Sequence, residues 1–359
     1  MMRKILIVIT TAFVPYGGLA TVMLNYYRHM NREGLQIDFA STNPLGEEDS
    51  LSQELRGNHS RYYCLGERKR GILLYTRRLY SLLKKEKYDV IHVNGNSATM
   101  AIELKIAKWA GVPVRIAHCH TSRSEHTMVH KCLLPVFRRS YTKAGACSAM
   151  AGVWLFEHFD ILKNAIDFEK YRFRPRVRNQ VRERLGITGK FVIGTVGKIN
   201  VSKNQVFFLD VLQKFVKQRE NTLFLLVGDG PERGNLEQKI REKGLEHHVL
   251  LPGMRTDVDE LLNGMDCFVF PSFFEGFGMA MLEAQANGLW CLASDQVSRE
   301  GVITDHVCML PLQEPDRWVG DLMQAGHRDC DVEKLRKIFE TSGYEIGKSS
   351  EVLRQWYLD

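Results

Sequence analysis

The sequence predicts an α/β protein made of two doubly wound units facing across a cleft, and three observations carry that expectation. Its 359 residues exceed what one packed core commonly organises, since domains cluster at about 150 residues. Short apolar runs alternate with amphipathic stretches of helical length, the pattern of a parallel sheet covered by helices. The alternation breaks once, near the middle, and then restarts. With 44% hydrophobic and 25% charged residues, there is apolar material for two cores. Intrinsic disorder, collagen and coiled coil are excluded.

In the first half, strands are expected over residues 4–10, 35–41, 89–93, 114–118 and 144–148. Helices are expected over 20–30 and 98–110, the second closed by Gly111 and Pro113. The polar, basic stretch 171–190 reads as a boundary with a short helix. Strands then follow over 191–197, 223–230, 248–253 and 266–272, separated by helices over 204–218, 232–243 and 257–262. The tail is one more amphipathic helix ending in Trp356, Tyr357 and Leu358. The expected domains are 1–168 and 169–342, with 343–359 packing back on the first. In open α/β sheets ligands sit beyond the carboxyl ends of the strands, so the residues just after each strand are the ones to read for chemistry.

Charge is uneven. Residues 1–165 hold 23 Lys and Arg against 13 Asp and Glu, and the rest of the chain holds 26 against 29. The first half therefore faces either solvent or an anionic surface. Eight cysteines without a CxxC pair fit a reducing cytosol, where they behave as small hydrophobes, and speak against zinc or a disulfide scaffold. Residues 5–27 carry no charge, but Pro15, Tyr16, Gly17 and Gly18 interrupt the apolar run, which favours a buried first strand over a signal peptide. No stretch approaches the ~18 apolar residues of a spanning helix. A soluble or peripheral cytoplasmic protein is expected.

Three stretches could carry chemistry. In PYGGLA (15–20), Gly17 and Gly18 allow a backbone to approach a phosphate at a helix start, although tight turns use glycine for steric reasons as often. In VGKINVSKN (196–204), Lys198 and Lys203 flank a strand-to-helix loop and could meet a diphosphate, or could both be solvated. In PSFFEGFGMAMLEAQANG (271–288), Glu275 precedes a glycine turn into a helix that carries Glu283. Eight residues at about 100° each return to within about 80° of the start, so both carboxylates can face one pocket. The amides of Phe277, Gly278 and Met279 would lie at the helix start. The plainer reading is a capping and a surface glutamate. Glu283, however, stands in an apolar stretch, and a buried acid needs a partner.

EGFGMAMLE resembles the E-x7-E signature of retaining nucleotide-sugar glycosyltransferases of GT-B fold, family 4. The supporting pieces stand in that family's order: the Gly17-Gly18 pair, HCHT (118–121), NAID (164–167), VGKINVSKN, VGDGPER (227–233) and LPGMRTDV (251–258). The resemblance spans nearly the whole chain and has the flavour of bacterial capsule, exopolysaccharide and lipopolysaccharide enzymes.

It implies two Rossmann-like domains and a hexosyltransferase that uses a nucleoside-diphosphate sugar, a UDP-hexose as the first guess. It also implies a lipid-linked or soluble glycan as acceptor. Glu283 would hold the donor ribose, while Glu275 and the Phe277, Gly278 and Met279 amides would hold the transferred sugar. Lys198 and Lys203 would neutralise the diphosphate with help from Gly17 and Gly18, and Gly253, Met254 and Arg255 would lie by the base. His120 would stand near the reacting carbon, with His118 as the fallback. The family usually has Arg where Lys198 stands, and Lys lacks the bidentate fork. With no DxD motif in place, no metal or other cofactor is expected, and the lysines supply the charge. Closure of the domains, hinged near 165–190 and at the tail, would assemble the site.

The basic residues within 68–87 and 131–143, interleaved with Leu133, Leu134 and Phe137, would meet an anionic leaflet, placing the protein at the inner face of the cytoplasmic membrane. Nucleic acid is not expected, because aromatic platforms for bases are lacking. The rival readings are a nucleotide-sugar epimerase on the same scaffold and a non-catalytic nucleotide-sugar binding protein.

Overall fold

The computed structural model describes residues 2–14, 18–121, 127–275, 277–325 and 328–359. The chain forms two compact units: one holds the residues up to Ile166 together with Ile346–Asp359, and the other is Asp167–Glu345.

The first unit is built on seven strands: β1 (Arg3–Ile9), β2 (Leu35–Ser41), β3 (Tyr62–Cys64), β4 (Val90–Gly95), β5 (Val114–Cys119), β6 (Lys143–Ala146) and β7 (Asp160–Ile161). Their order in the sheet is β3-β2-β1-β4-β5-β6-β7, with neighbours parallel. Ile5 to Ile9 are all buried, as a strand covered on both faces requires, and this explains an apolar run that could pass for a leader. The order reverses between β1 and β4, so the loops after these two strands diverge and leave a crevice at their carboxyl ends.

The second unit carries β8 (Phe191–Val196), β9 (Thr222–Val227), β10 (Val249–Gly253), β11 (Cys267–Phe270), β12 (Trp290–Ser294) and β13 (Val307–Leu310). Their order is β10-β9-β8-β11-β12-β13, again parallel, with the reversal between β8 and β11. Its core gathers Phe208, Phe215, Phe224 and Trp318. The indole N–H of Trp318 reaches the Pro311 carbonyl at 3.0 Å, which satisfies the one polar atom this large side chain buries.

Helix Ile346–Leu358 belongs to the first unit. Trp356 lies over Gly145, where a Cβ would stand 2.5 Å from the indole. The Ile346 amide donates to the Ile166 carbonyl at 3.0 Å, so the points where the chain leaves and re-enters this unit are side by side.

The stretch 171–190, expected as a boundary with a short helix, lies in the second unit just past the division at 166–167. It contains helix Pro175–Arg184, which packs on helix Val258–Gly264 within the second unit. Its arginines are paired: Arg174 with Asp259 at 2.8 Å, Arg182 with Asp266 at 3.2 Å, and Arg184 with Asp257 at 2.8 Å. Val181 is fully buried between them. The chain passes from the first unit to the second at 166–167 and returns at 345–346. Cys64, Cys132 and Cys330 are exposed, so the small-hydrophobe expectation fails for these three. No helix among the described residues is long and apolar enough to cross a membrane.

Candidate active site

At the reversal point of the second sheet, the loops after β8 and β11 are stitched together. Asn200 Oδ1 accepts from the Lys203 amide at 2.9 Å and caps the short turn Val201–Lys203. The Phe273 amide donates to the Ser202 carbonyl at 2.8 Å, and Ser202 Oγ donates to the Phe274 carbonyl at 3.0 Å. These bonds bring Lys203 Nζ within 2.6 Å of Glu275 Oε1 and 4.7 Å above the Phe270 ring. The pair is held with little water around it: the side chains are 21% and 13% exposed. Lys198, the other lysine of this loop, is exposed and forms no ion pair among the described residues.

The floor of this site is backbone laid on backbone. A Cβ on Gly228 would lie 2.0 Å from the Gly197 carbonyl oxygen, and one on Gly230 would lie 2.1 Å from that of Ile199. The Gly228 amide donates to the Gly253 carbonyl, and the Ile199 amide to that of Asp229, both at 2.9 Å. The glycines of VGDGPER therefore let the loops after β8, β9 and β10 touch. Beyond Gly253, Met254 is exposed, and the Arg255 guanidinium is held bidentately by Asp257 at 2.8 and 2.7 Å.

Gly276 lies outside the described residues, as does Gly17. Gly278 adopts φ 80° and starts helix Met279–Ala286, whose first amides have no carbonyl one turn back. The Phe277 ring is buried against Tyr344, centroids 5.3 Å apart. Glu283 points inward. Burial pushes its carboxyl up to about 7, opposed by a hydrogen bond from the Tyr171 hydroxyl and by the charges of Lys170 and Lys203. Lys203 is thus the cation common to Glu275 and Glu283. Tyr171 escaped the sequence reading because it opens the stretch taken as a boundary. The one available signal was that a buried acid requires a donor. Asn287 Nδ2 fixes Tyr171 in turn through its carbonyl, at 2.6 Å.

In the first unit, the ends of β4 and β5 assemble a stack of histidines. The Tyr357 hydroxyl is 2.7 Å from His92 Nδ1, His92 Nε2 is 3.2 Å from His118 Nδ1, and the His118 ring lies 4.1 Å from that of His120. His120 Nε2 is 3.0 Å from Asn94 Oδ1, while Asn94 Nδ2 donates to the His92 carbonyl. The Asn94 oxygen therefore accepts, His120 carries its proton on Nε2, and its Nδ1 is left as a buried acceptor without a partner. Burial holds His92 and His120 down at about 3, and His118 well below its usual value. The neighbouring rings add to the shift in His92 and His118. Asn164, from the NAID stretch, opposes part of the shift in His120. His118 lies between the other two rings and is fully buried, while His120 keeps a small exposed area. Gly18 opens the helix that follows β1.

Among the described residues, no group of three His, Cys, Asp or Glu side chains converges as a metal site. Most basic residues within 68–87 and 131–143 are exposed, with Arg68 and Lys143 partly covered. Arg68 pairs with buried Glu103 at 3.2 Å, and Phe137 is a core residue, because the sheet's own packing claims both.

Residues 177–343 match the family described as Glycosyl transferases group 1, and residues 16–152 the one described as Glycosyltransferase Family 4. A putative glycosyltransferase of Bacillus subtilis, EpsF, is 29% identical over 321 residues, 83% of this chain and 82% of the relative. The UDP-Gal:alpha-D-GlcNAc-diphosphoundecaprenol alpha-1,3-galactosyltransferase of Escherichia coli is 27% identical over 310 residues, 78% of each chain. Among solved structures, HepE of Anabaena in complex with UDP-glucose superposes with a TM-score of 0.79 over 98% of both chains at 17% identity, a likeness of fold. Both halves are matched in order, the relatives align along most of their own length and the two-sheet architecture is shared, so the chain belongs to the family 4 glycosyltransferases of GT-B fold.

Proposed function

We propose that the protein is a retaining hexosyltransferase. It moves a sugar from a nucleoside-diphosphate sugar, UDP-hexose in the first instance, to a hydroxyl of a lipid-linked glycan in surface polysaccharide assembly, without a metal. The observation that carries this reading is the Lys203–Glu275 pair at the reversal point of the second sheet. In the free protein each is the other's counterion. An incoming donor replaces both halves of the pair, its diphosphate taking Lys203 and its sugar hydroxyls taking Glu275 and the Gly278 and Met279 amides. Lys198 adds charge from solvent, Glu283 takes the ribose, and Gly253 to Arg255 border the base. His120, neutral, offers Nδ1 as an acceptor to a hydroxyl of the transferred sugar. In the transfer, the bond from the anomeric carbon to the diphosphate oxygen breaks and the bond to the acceptor oxygen forms on the same face. The acceptor's proton passes to the departing phosphate. The Escherichia coli relative is named for a UDP-Gal donor and a diphosphoundecaprenol acceptor, and HepE was solved with UDP-glucose, which supports this choice of substrates.

Thermal shift with UDP, GDP, ADP and their sugar conjugates, in the presence of chelator, tests the reading. One nucleotide is expected to raise the melting temperature of the wild type and not that of Glu283→Ala. Equal responses in both proteins would remove Glu283 from the donor site, and binding without transfer would leave a nucleotide-sugar binding protein.

A further inference from the structure

His120 has one proton to place and two asparagine oxygens to receive it. Strand geometry supplies the first. Side chains alternate across a strand, so His92 and Asn94 share a face of β4, and His118 and His120 share a face at the end of β5. The register Asn94↔His118 makes it the same face of the sheet. Helix Ile346–Leu358 covers that face through Tyr357 and through Trp356, whose ring centroid is 6.3 Å from that of His118. Asn94 is fully buried, and its backbone is pinned: its carbonyl accepts from the Thr10 amide at 3.1 Å and from Thr10 Oγ1 at 2.9 Å. The next carbonyl, that of Gly95, accepts from the His120 amide at 3.2 Å.

The direction of the Asn94 amide is set by the strand it stands on. Its Nδ2 donates to the His92 carbonyl at 3.3 Å, and turning the amide over would set oxygen against oxygen there. Oδ1 is therefore the atom that faces His120 Nε2, 3.0 Å away. The second oxygen belongs to Asn164. It is buried without a partner among the described residues, and Asn164 favours a proton on His120. The ring nitrogen left for it is Nδ1, which is unpartnered as well. Burial keeps the ring neutral, so the single proton satisfies one asparagine or the other. On Nδ1 it would serve Asn164 and leave Nε2 as an acceptor pressed against the Asn94 oxygen.

We propose that Asn94 is a positioning residue: it selects the tautomer of His120 that carries its proton on Nε2, and so keeps Nδ1 an acceptor. Without Asn94 the proton passes to Nδ1, where Asn164 Oδ1 receives it. The ring then has a donor already spent on the protein where it had an acceptor to offer. Asn94 acts through His120 alone. That the acceptor serves a hydroxyl of the transferred sugar rests on the function proposed above, whereas the choice of tautomer does not.

The test is long-range proton–nitrogen NMR of the full chain, isotope-labelled at histidine, with the His120 signals identified by their loss in His120→Gln. The wild type is expected to hold the His120 proton on Nε2. Asn94→Leu, which keeps the bulk and removes the acceptor, is expected to hold it on Nδ1. Asn94→Asp should keep the Nε2 proton, and its carboxylate should raise the titration of the ring towards the ordinary histidine range. His118 and, beyond it, His92 are the rings stacked against His120, and burial keeps both neutral. Tyr357→Phe loosens the same stack from its far end and should leave the His120 proton where it is. A proton on Nδ1 in the wild type, one that stays on Nε2 in Asn94→Leu, or one that moves as readily in Tyr357→Phe would overturn the proposal. Should Asn94→Leu fail to fold, an unshifted titration in Asn94→Asp would do the same. The donor reading is checked separately by calorimetry with UDP and UDP-glucose. Asn94→Leu should bind UDP as the wild type does, while the advantage of UDP-glucose over UDP falls by up to about tenfold. A moved proton with that advantage intact would remove His120 from the sugar and leave the tautomer assignment standing.

Discussion

Glu283 is an acid that the fold keeps close to half-protonated. Its pKa of about 7 stands above the value of 4.5 for a free side chain, so the proton is bound more tightly in the folded state. The stabilisation this gives is complete below about 4.5 and is lost as pH rises through about 7. A ribose held by two acceptor oxygens requires the charged form. Donor affinity is therefore expected to be about tenfold weaker at pH 6 than at pH 8, and Glu283→Gln should bind weakly with no such dependence. Calorimetric titration at the two pH values reads this, and a pH-independent affinity in the wild type would dissociate Glu283 from the donor. The spacing of the two glutamates was legible because helical geometry is local. The groups that tune them were not. Tyr171 reaches Glu283 from more than a hundred residues away, and Lys203 meets Glu275 because hydrogen bonds between two loops, invisible in either alone, bring them together.

Strand ends and glycine turns are the elements on which the site stands. Gly228 has φ 146°, and any Cβ there meets the Gly197 carbonyl. Gly228→Ala should cost about 3 kcal/mol or more, because both the backbone conformation and the close approach are lost. A urea midpoint unchanged from the wild type would show that the two loops can part freely. At this scale the sequence was informative where periodicity is strong: β1, β2, β5, β8 and β9 lie within a residue or three of their expected bounds. It was uninformative for β3 and β7, three and two residues long, which owe their existence to a neighbouring strand rather than to their own pattern. Within 171–190 it predicted the short helix but not the partners of its arginines. The acids that neutralise those arginines lie some eighty residues on, and composition within a window cannot register a partner outside it.

At the scale of the molecule, the two units should answer acid differently. Three buried neutral histidines lie in the first unit, and each has a folded pKa below the ~6.5 of an unfolded chain. Their contribution is complete above about 6.5 and is lost progressively as pH falls below it, at about 1.4 kcal/mol per pH unit for each fully titrating unfolded histidine. In scanning calorimetry between pH 7 and pH 5, the transition of the first unit is expected to fall well before that of the second. The two would be told apart by Tyr357→Phe, which alters only the first. A common shift of both transitions would deny the stack this cost. The two-unit plan itself could be read from the restart of the strand–helix alternation, since each unit needs its own core. The stack could not, because it is closed by a residue from the far end of the chain. That closure also has a bearing on biosynthesis. The ribosome completes Asp167–Glu345 while the first unit still lacks its last helix, with the place of Trp356 over Gly145 vacant and His92 without Tyr357. The half of the protein that is made first is therefore the half that is finished last.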